Sequence, residues 1–301
     1  MNKKKMMIGG FLLGNLFAMA AQQKPAPAKT WNLRDHVPRQ EVIINVHRGA
    51  GVLAPESSIE AFEIAWGLNA IPEADVRTTR DGVIVSFHDG DFARILPHAS
   101  EEMKKKGIRD LTCEEVMTLD IGAWKGAPFA GQRVLTLSAI VGTLKAYPER
   151  RVYIDIKNVD FEQLARETEG VHPQLIVAST NYDELKRWKE VAPRSFTLHW
   201  MGGSEAELSE RLDRLEKERF RAIDQLQIHV RVGKDGAFSP GGDFLLRTGE
   251  RLRKHDVHYQ VFPWECNDAT VFQRLMDLGV AGLATDYPDV TVQAVTDYYA
   301  R

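Results

Sequence analysis

Cysteine is scarce in this chain: Cys113 and Cys266 are the only two, and their spacing excludes a zinc or iron–sulfur ligand cluster. Whether they pair is left open by the sequence. Charge of one sign is lacking too, with 39 Lys and Arg against 42 Asp and Glu and a net charge of −3. That balance, with Lys104-Lys105-Lys106 reading as a solvated turn, argues against nucleic acid as a partner. A long hydrophobic run is also missing. The apolar stretch Met6 to Ala18 is short for a permanent membrane anchor. It follows Lys3-Lys4-Lys5 and precedes Ala18-Met19-Ala20, the small-x-small pattern of a signal-peptidase site. Residues 1–20 are therefore expected to be a signal peptide, cleaved after Ala20 or Ala21. The mature protein is then exported, periplasmic or secreted, with no stable membrane anchor. No cysteine follows the apolar run, so a lipidated N-terminus is not expected. Residues 22–29 (Gln-Gln-Lys-Pro-Ala-Pro-Ala-Lys) carry no core-forming side chains, and residues 21–40 read as a tether and N-terminal extension. Residues 41–301 are enough for one large α/β domain.

Within that domain, short β-rich runs alternate with amphipathic stretches, the pattern of βα units and a parallel sheet. The expected strands are Val42–His47, Glu73–Arg77, Val83–His88, Val152–Lys157, Leu175–Ser179, Phe196–Trp200, Leu226–Val230, Tyr259–Trp264 and Gly282–Asp286. That is one more than a (β/α)₈ TIM barrel uses. Only Thr78 to Gly82 separate the second from the third, too few for a parallel crossover. Asp81-Gly82 is a hairpin turn signal, so Val83–His88 should fold back antiparallel and bring His88 about opposite Glu73. Ser57-x-x-Glu60 reads as a capping box for the first helix. Other helices are expected over Ser204–Phe220 and from Asp289 onward. Residues of about 90–135 exceed what one connection needs and read as a lid inserted over the barrel mouth.

Barrel catalytic groups sit at the carboxyl ends of strands, where His47, Glu73, Asp75, Asp155, Lys157, Trp264 and Asp286 all fall. Glu73 and Asp75, two apart on a strand, face the same way. Like carboxylates in a barrel mouth repel unless a cation neutralises them. With Asp155 as a third acid, the oxygen donors suit Mg²⁺ or Ca²⁺ rather than zinc. His47 and His88 titrate near neutrality, so one can accept a proton while the other donates. Arg48 and Lys157 can clamp phosphate oxygens, and Gly49 and Gly51 permit close backbone approach to a phosphate. Trp124, Trp200, Trp264 and Tyr287 are candidates for the pocket wall, Trp264 foremost. For His199 and His229, near strand ends, pocket lining and plain packing are alternatives.

The segments His47-Arg48-Gly49, Pro55-Glu56-Ser57-Ser58, Glu60-Ala61-Phe62, Glu73-Ala74-Asp75, Thr79-Arg80-Asp81-Gly82 and Phe87-His88-Asp89 occur in this order. Trp264 with Asn267, Gly279-Val280 and Thr285-Asp286-Tyr287-Pro288 follow near the end. As a set they resemble the glycerophosphodiester phosphodiesterase family. The resemblance implies a (β/α)₈ barrel and a divalent metal on Glu73, Asp75 and a third acid. It also implies catalytic His47 and His88 and phosphate contacts from Arg48 and Lys157, with Glu56 orienting groups near His47. The third acid is commonly glutamate in the family and is Asp155 here. Ser57-Ser58 stands in place of the usual Asn-Thr.

The expected activity is metal-dependent hydrolysis of a small-molecule glycerophosphodiester to an alcohol and glycerol phosphate. One alternative is a lysophospholipase D or sphingomyelinase D-like phosphodiesterase acting on lipids. The other is a non-catalytic phosphodiester-binding protein, against which the complete set of histidines and acids speaks.

Overall fold

The structure, a computed structural model, describes residues 32–301. The expected signal peptide and most of the tether lie outside the described residues. Among the described residues there are ten strands: β1 (Ile43–Val46), β2 (Ile71–Thr78), β3 (Ile84–Ser86), β4 (Val152–Asn158), β5 (Leu175–Ser179), β6 (Phe196–Met201), β7 (Gln225–Val232), β8 (Phe238–Ser239), β9 (His258–Pro263) and β10 (Gly282–Thr285). Eight of them pair in parallel in the cyclic order β1-β2-β4-β5-β6-β7-β9-β10, and β10 returns to β1. Closure leaves the parallel sheet without a free edge. Ile176, Ala178 and Leu198 fill the interior with Tyr153, and Ile43, Ile71 and Phe196 pack against them. Tyr153 is accommodated there because its hydroxyl donates to Gln225 Oε1 at 2.7 Å and accepts from Gln260 Nε2 at 2.8 Å.

The outer ring begins with α1 (Ile59–Gly67). Two short helices, α2 (Glu101–Lys104) and α3 (Cys113–Met117), belong to the insertion. The ring then continues with α4 (Leu137–Ala146), α5 (Phe161–Glu167), α6 (Tyr182–Val191), α7 (Glu205–Lys217), α8 (Gly242–Arg253), α9 (Ala269–Asp277) and α10 (Pro288–Ala300). Among the described residues, no helix is long and apolar enough to cross a membrane. The cap of α1 is one residue later than expected: Ser58, not Ser57, accepts from Ala61 N–H at 3.2 Å. Ser57 is instead in the left-handed region at φ 63°, where an N-cap residue does not sit. Ahead of the barrel, Leu33 is buried and its N–H donates to the Tyr298 hydroxyl at 3.1 Å. Cys113 and Cys266 are free thiols.

β3 does fold back antiparallel on β2. Its register is one residue from the expected count, because the loop closes on Thr79 and Val83 (Thr79 N–H to Val83 C=O, 2.9 Å). Val76 therefore opposes Ser86, and Phe87 N–H donates to the Asp75 carbonyl at 2.7 Å. A second hairpin, β7 to β8, was not foreseen; it turns through Gly236 at φ 76°. The insertion of residues 90–135 has its own small core, in which Phe92, Ile95, Ile108 and Val116 pack on Val85 and Phe87. It docks on the loop after β1, where the Lys125 ammonium donates to the carbonyls of Gly51 (2.9 Å) and Ala54 (2.6 Å).

Candidate active site

The carboxyl ends of the barrel strands surround a cleft. His47, Arg48, Glu73, Asp75, His88, Asp155, Lys157 and Trp264 all line it, so eight of the nine expected site residues share one space. The ninth, Glu56, lines an adjoining cleft that shares His47, Arg48 and Trp264 and also takes in Trp124, Lys125 and Tyr287 from the rim.

His47 continues the β1 ladder, its N–H donating to Thr285 C=O at 3.0 Å. The chain then turns sharply: Arg48 has φ 53°, Gly49 φ 93° and Gly51 φ 56°. A non-glycine in that region stores strain, and here Arg48 N–H is delivered to Glu73 Oε2 at 3.1 Å. Both glycines are required by packing. A Cβ on Gly51 would lie 2.0 Å from the Asp286 carbonyl oxygen, and one on Gly49 would lie 3.0 Å from the Phe62 ring.

Both imidazoles are held by the same device. His47 Nδ1 lies 2.7 Å from Asp286 Oδ1, and His88 Nδ1 lies 2.7 Å from Asp89 Oδ1. A carboxylate only accepts, so each Nδ1 carries the proton and each Nε2 is left for other partners. The ring centroids are 6.4 Å apart. His88 Nε2 faces Arg48 Nη2 at 3.2 Å; a guanidinium only donates, so this nitrogen presents a lone pair. Burial alone would lower the His47 pKa, but the Asp286 hydrogen bond and the Glu73 charge outweigh it and the net shift is upward. For Asp89, burial is likewise outweighed, here by the bonds from His88 and Arg94, and its carboxyl is held well below the usual range.

Asp75 and Asp155 are register partners on adjacent strands. Burial and then repulsion from Glu73 push the Asp155 carboxyl up to about 7. Burial and then Asp75 push Glu73 upward as well. Lys157 sits between two of these acids, 2.7 Å from Asp155 Oδ2 and 3.1 Å from Asp75 Oδ1. Its expected role as a free phosphate clamp is thus shared with holding carboxylates. Three acids against one ammonium leave surplus negative charge in a buried place. That donor set, all hard oxygens, fits a divalent cation such as Mg²⁺ or Ca²⁺. Among the described residues, the trio of potential ligands lying mutually within 4.8 Å is a different one, Glu56, His88 and Asp89. The Arg94 guanidinium fills that place, 2.7 Å from Glu56 Oε1 and 2.7 Å from Asp89 Oδ2.

The opposite wall is aromatic. Trp264 stacks on Phe262 at 5.1 Å, and Trp200 stacks on His229 at 4.7 Å. The Trp264 indole N–H, a donor only, points at His229 Nδ1 at 3.2 Å. His229 therefore carries its proton on Nε2, which faces the Gln227 amide at 2.9 Å. Turning that amide to present its oxygen also satisfies Gln227 Oε1, otherwise unpartnered. Burial lowers the His229 pKa to about 4, and it stays a neutral support for Trp264. His199 points away from the cleft and meets Ser179 C=O at 3.0 Å.

Sequence reasoning missed Asp89, Arg94, Gln227 and Phe262 and gave Asp286 no role. Asp89 and Asp286 had a signal, since a carboxylate beside a strand-end histidine can orient the ring. Arg94 had none, because its partners come from separate segments.

Residues 47–290 match the glycerophosphoryl diester phosphodiesterase family. Bacillus subtilis YhdW is 30% identical over 261 residues, covering 83% of this chain and 96% of its own. The glycerophosphodiester phosphodiesterase of Caldanaerobacter subterraneus subsp. tengcongensis is 26% identical over 274 residues, covering 85% and 98%. Among solved structures, a glycerophosphodiester phosphodiesterase from Agrobacterium tumefaciens str. C58 superposes with a TM-score of 0.65 at 23% identity, covering 84% of this chain and 99% of that one. An Oleispira antarctica phosphodiesterase in complex with the product sn-glycerol-3-phosphate gives 0.63 at 22%, covering 85% and 96%. At such identities the structural likeness speaks for the barrel alone, while the family match spans most of the domain. The chain belongs to the glycerophosphoryl diester phosphodiesterase family.

Proposed function

We propose that this protein hydrolyses glycerophosphodiesters to an alcohol and glycerol phosphate, with His47 and His88 as the proton-transfer pair. The observation that carries this is the matched pair of carboxylate-held imidazoles, each Nδ1 at 2.7 Å from an acid, on the cleft that also holds Arg48. Glu73, Asp75 and Asp155 would hold a divalent cation, Mg²⁺ or Ca²⁺, which when bound supplies Lewis-acid neutralisation of phosphate charge. Arg48, tied to Glu56 at 3.2 Å through Nη1, offers its guanidinium to the non-bridging oxygens. Lys157 adds a positive charge beside Asp75 and Asp155. Trp264 walls the site for the alcohol parts of the substrate.

His88 Nε2, already a lone pair, takes the proton of the attacking hydroxyl, either water or the neighbouring glycerol hydroxyl. His47, whose pKa is raised, gives a proton to the departing alkoxide as its P–O bond breaks. With glycerol-hydroxyl attack, a cyclic phosphate forms and water then opens it.

The test is turnover of glycerophosphocholine by the wild type, His47→Ala and His88→Ala, with and without chelator. Each variant is expected to lose at least about 10²-fold in kcat, and chelation to silence the wild type until Mg²⁺ or Ca²⁺ is returned. Near-full activity in either variant overturns the reading. We also propose export through residues 1–20. N-terminal sequencing of the mature protein checks this, with a start at Ala21 or Gln22 expected and a start at Met1 opposed.

A further inference from the structure

Arg94 belongs to the insertion rather than the barrel, yet it binds two acids that hold site residues. Its Nη2 and Nη1 fork onto Glu56 Oε1 and Oε2 at 2.7 and 2.9 Å, and its Nε meets Asp89 Oδ2 at 2.7 Å. Glu56 Oε2 also accepts from Arg48 Nη1 at 3.2 Å, and Asp89 Oδ1 from His88 Nδ1 at 2.7 Å. The Arg48–His88 contact at 3.2 Å closes these five side chains into a ring. With His88 neutral, two guanidiniums balance two carboxylates. Glu56 has a side chain only 8% exposed, so its charge needs compensation inside the fold. Without Arg94, Glu56 and Asp89 would face each other across the place that Arg94 now fills.

We propose that Arg94 is a positioning residue for the reaction. By bonding Glu56 and Asp89 at once, it fixes His88 Nε2 and the Arg48 guanidinium relative to each other, so the insertion completes the proton-transfer machinery. The planar fork is what allows three bonds in two directions, which an ammonium cannot reproduce. A purely structural clamp is a poorer account of the geometry. The insertion is already anchored by its own core and by Lys125 on the Gly51 and Ala54 carbonyls. Arg94 also lies over the Trp124 ring at 5.3 Å, but its three hydrogen bonds all go to the acids that hold His88 and Arg48.

This inference rests on the proposed roles of His88 and Arg48, so Arg48→Ala and His88→Ala are assayed beside Arg94→Ala on glycerophosphocholine. Arg94→Ala is expected to lower kcat by about 10–100-fold, the usual cost of removing a partner of a functional histidine. KM should change by less than about threefold, while Tm falls, since buried Glu56 keeps only its single Arg48 bond. Millimolar guanidinium chloride, which can occupy the vacated place, should recover at least about tenfold in Arg94→Ala and nothing in His88→Ala. Arg94→Lys should remain impaired by about tenfold, and it carries the test if Arg94→Ala does not fold. A kcat within about threefold of wild type, or a loss that guanidinium leaves untouched in a folded variant, overturns the inference. If Arg48→Ala and His88→Ala are themselves active, the reading of the site fails. If they are inactive while Arg94→Ala is normal, only the role of Arg94 falls.

Discussion

Asp286 Oδ1 lies 2.7 Å from Nδ1 of His47, 239 residues away in sequence. The contact joins the loop after β10 to the end of β1, which are paired neighbours in the closed barrel. It holds the ring through Nδ1, and its charge favours the second proton, on Nε2, that a donor must carry. Asp286→Asn keeps the shape but removes that charge, so His47 loses its donor proton at lower pH. The expected result is a kcat loss of about 10²-fold or more with Tm nearly unchanged. Steady-state kinetics and a thermal melt check it, and a loss under about fivefold would be a contradiction.

Gly51 holds that arrangement from behind. Its φ is +56°, and a Cβ there would lie 2.0 Å from the Asp286 carbonyl oxygen. The neighbouring Val52 N–H donates to the same carbonyl at 2.8 Å. Gly51→Ala must therefore push the Asp286 segment away from β1. We expect a stability loss of about 1–3 kcal/mol from strain and overpacking, together with a drop in kcat. An urea midpoint equal to wild type would mean that the two loops are not interlocked as described.

These two contacts also mark what was legible in the sequence. The barrel followed from nine strand-like runs and one turn too short for a crossover. The hairpin at Asp81-Gly82 followed with its register one residue out, because the closing pair is Thr79–Val83. His47, Glu73, Asp75, Asp155 and Trp264 were readable because strand ends face the mouth whatever the loops do. Arg94 was not, because nothing in residues 90–135 says which acids the folded insertion will meet. The dual engagement of Lys157 was hidden too, since it depends on β2 and β4 being aligned with Asp75 beside Asp155. The cap of α1 moved from Ser57 to Ser58 because Ser57 lies in the left-handed region and its carbonyl accepts from Leu135 N–H at 3.0 Å.

His199 supplies a pH dependence of stability that can be isolated. Burial, and then the Arg211 charge, lower its pKa from 6.5 to about 4. The folded state therefore binds fewer protons than the unfolded chain between those values. Its contribution is intact above pH 6.5 and is lost as pH falls toward 4. His229 and His258, also lowered to about 4 by burial, act in the same sense, and Asp155, raised to about 7 by burial and Glu73, acts in the opposite sense, so a bare pH profile would mix them all. His199→Asn separates them, since Asn keeps a donor for the Ser179 carbonyl and has no charge to gain. Between pH 7 and 4.5, wild type should lose about 2–3 kcal/mol more than the variant. Parallel curves in urea titrations would mean that His199 does not stay neutral.

The division of labour between the two imidazoles can be read from the leaving group. His88 Nε2 faces a guanidinium, which only donates, so it begins as the proton acceptor. His47, raised in pKa by Asp286 and Glu73 against its burial, begins as the donor. A leaving group that departs as a stable anion needs no donated proton, whereas every nucleophile still has to lose one. His47→Ala should thus recover much of its activity when glycerophosphocholine is replaced by a p-nitrophenyl phosphodiester, to within about tenfold of wild type on that substrate. His88→Ala should stay impaired by about 10²-fold or more on both substrates. If the p-nitrophenyl ester rescues His88→Ala and leaves His47→Ala inactive, the two roles are reversed while the pair itself stands. Rescue of neither leaves both residues essential before the leaving group departs, and the assignment of a donor to either imidazole is then wrong.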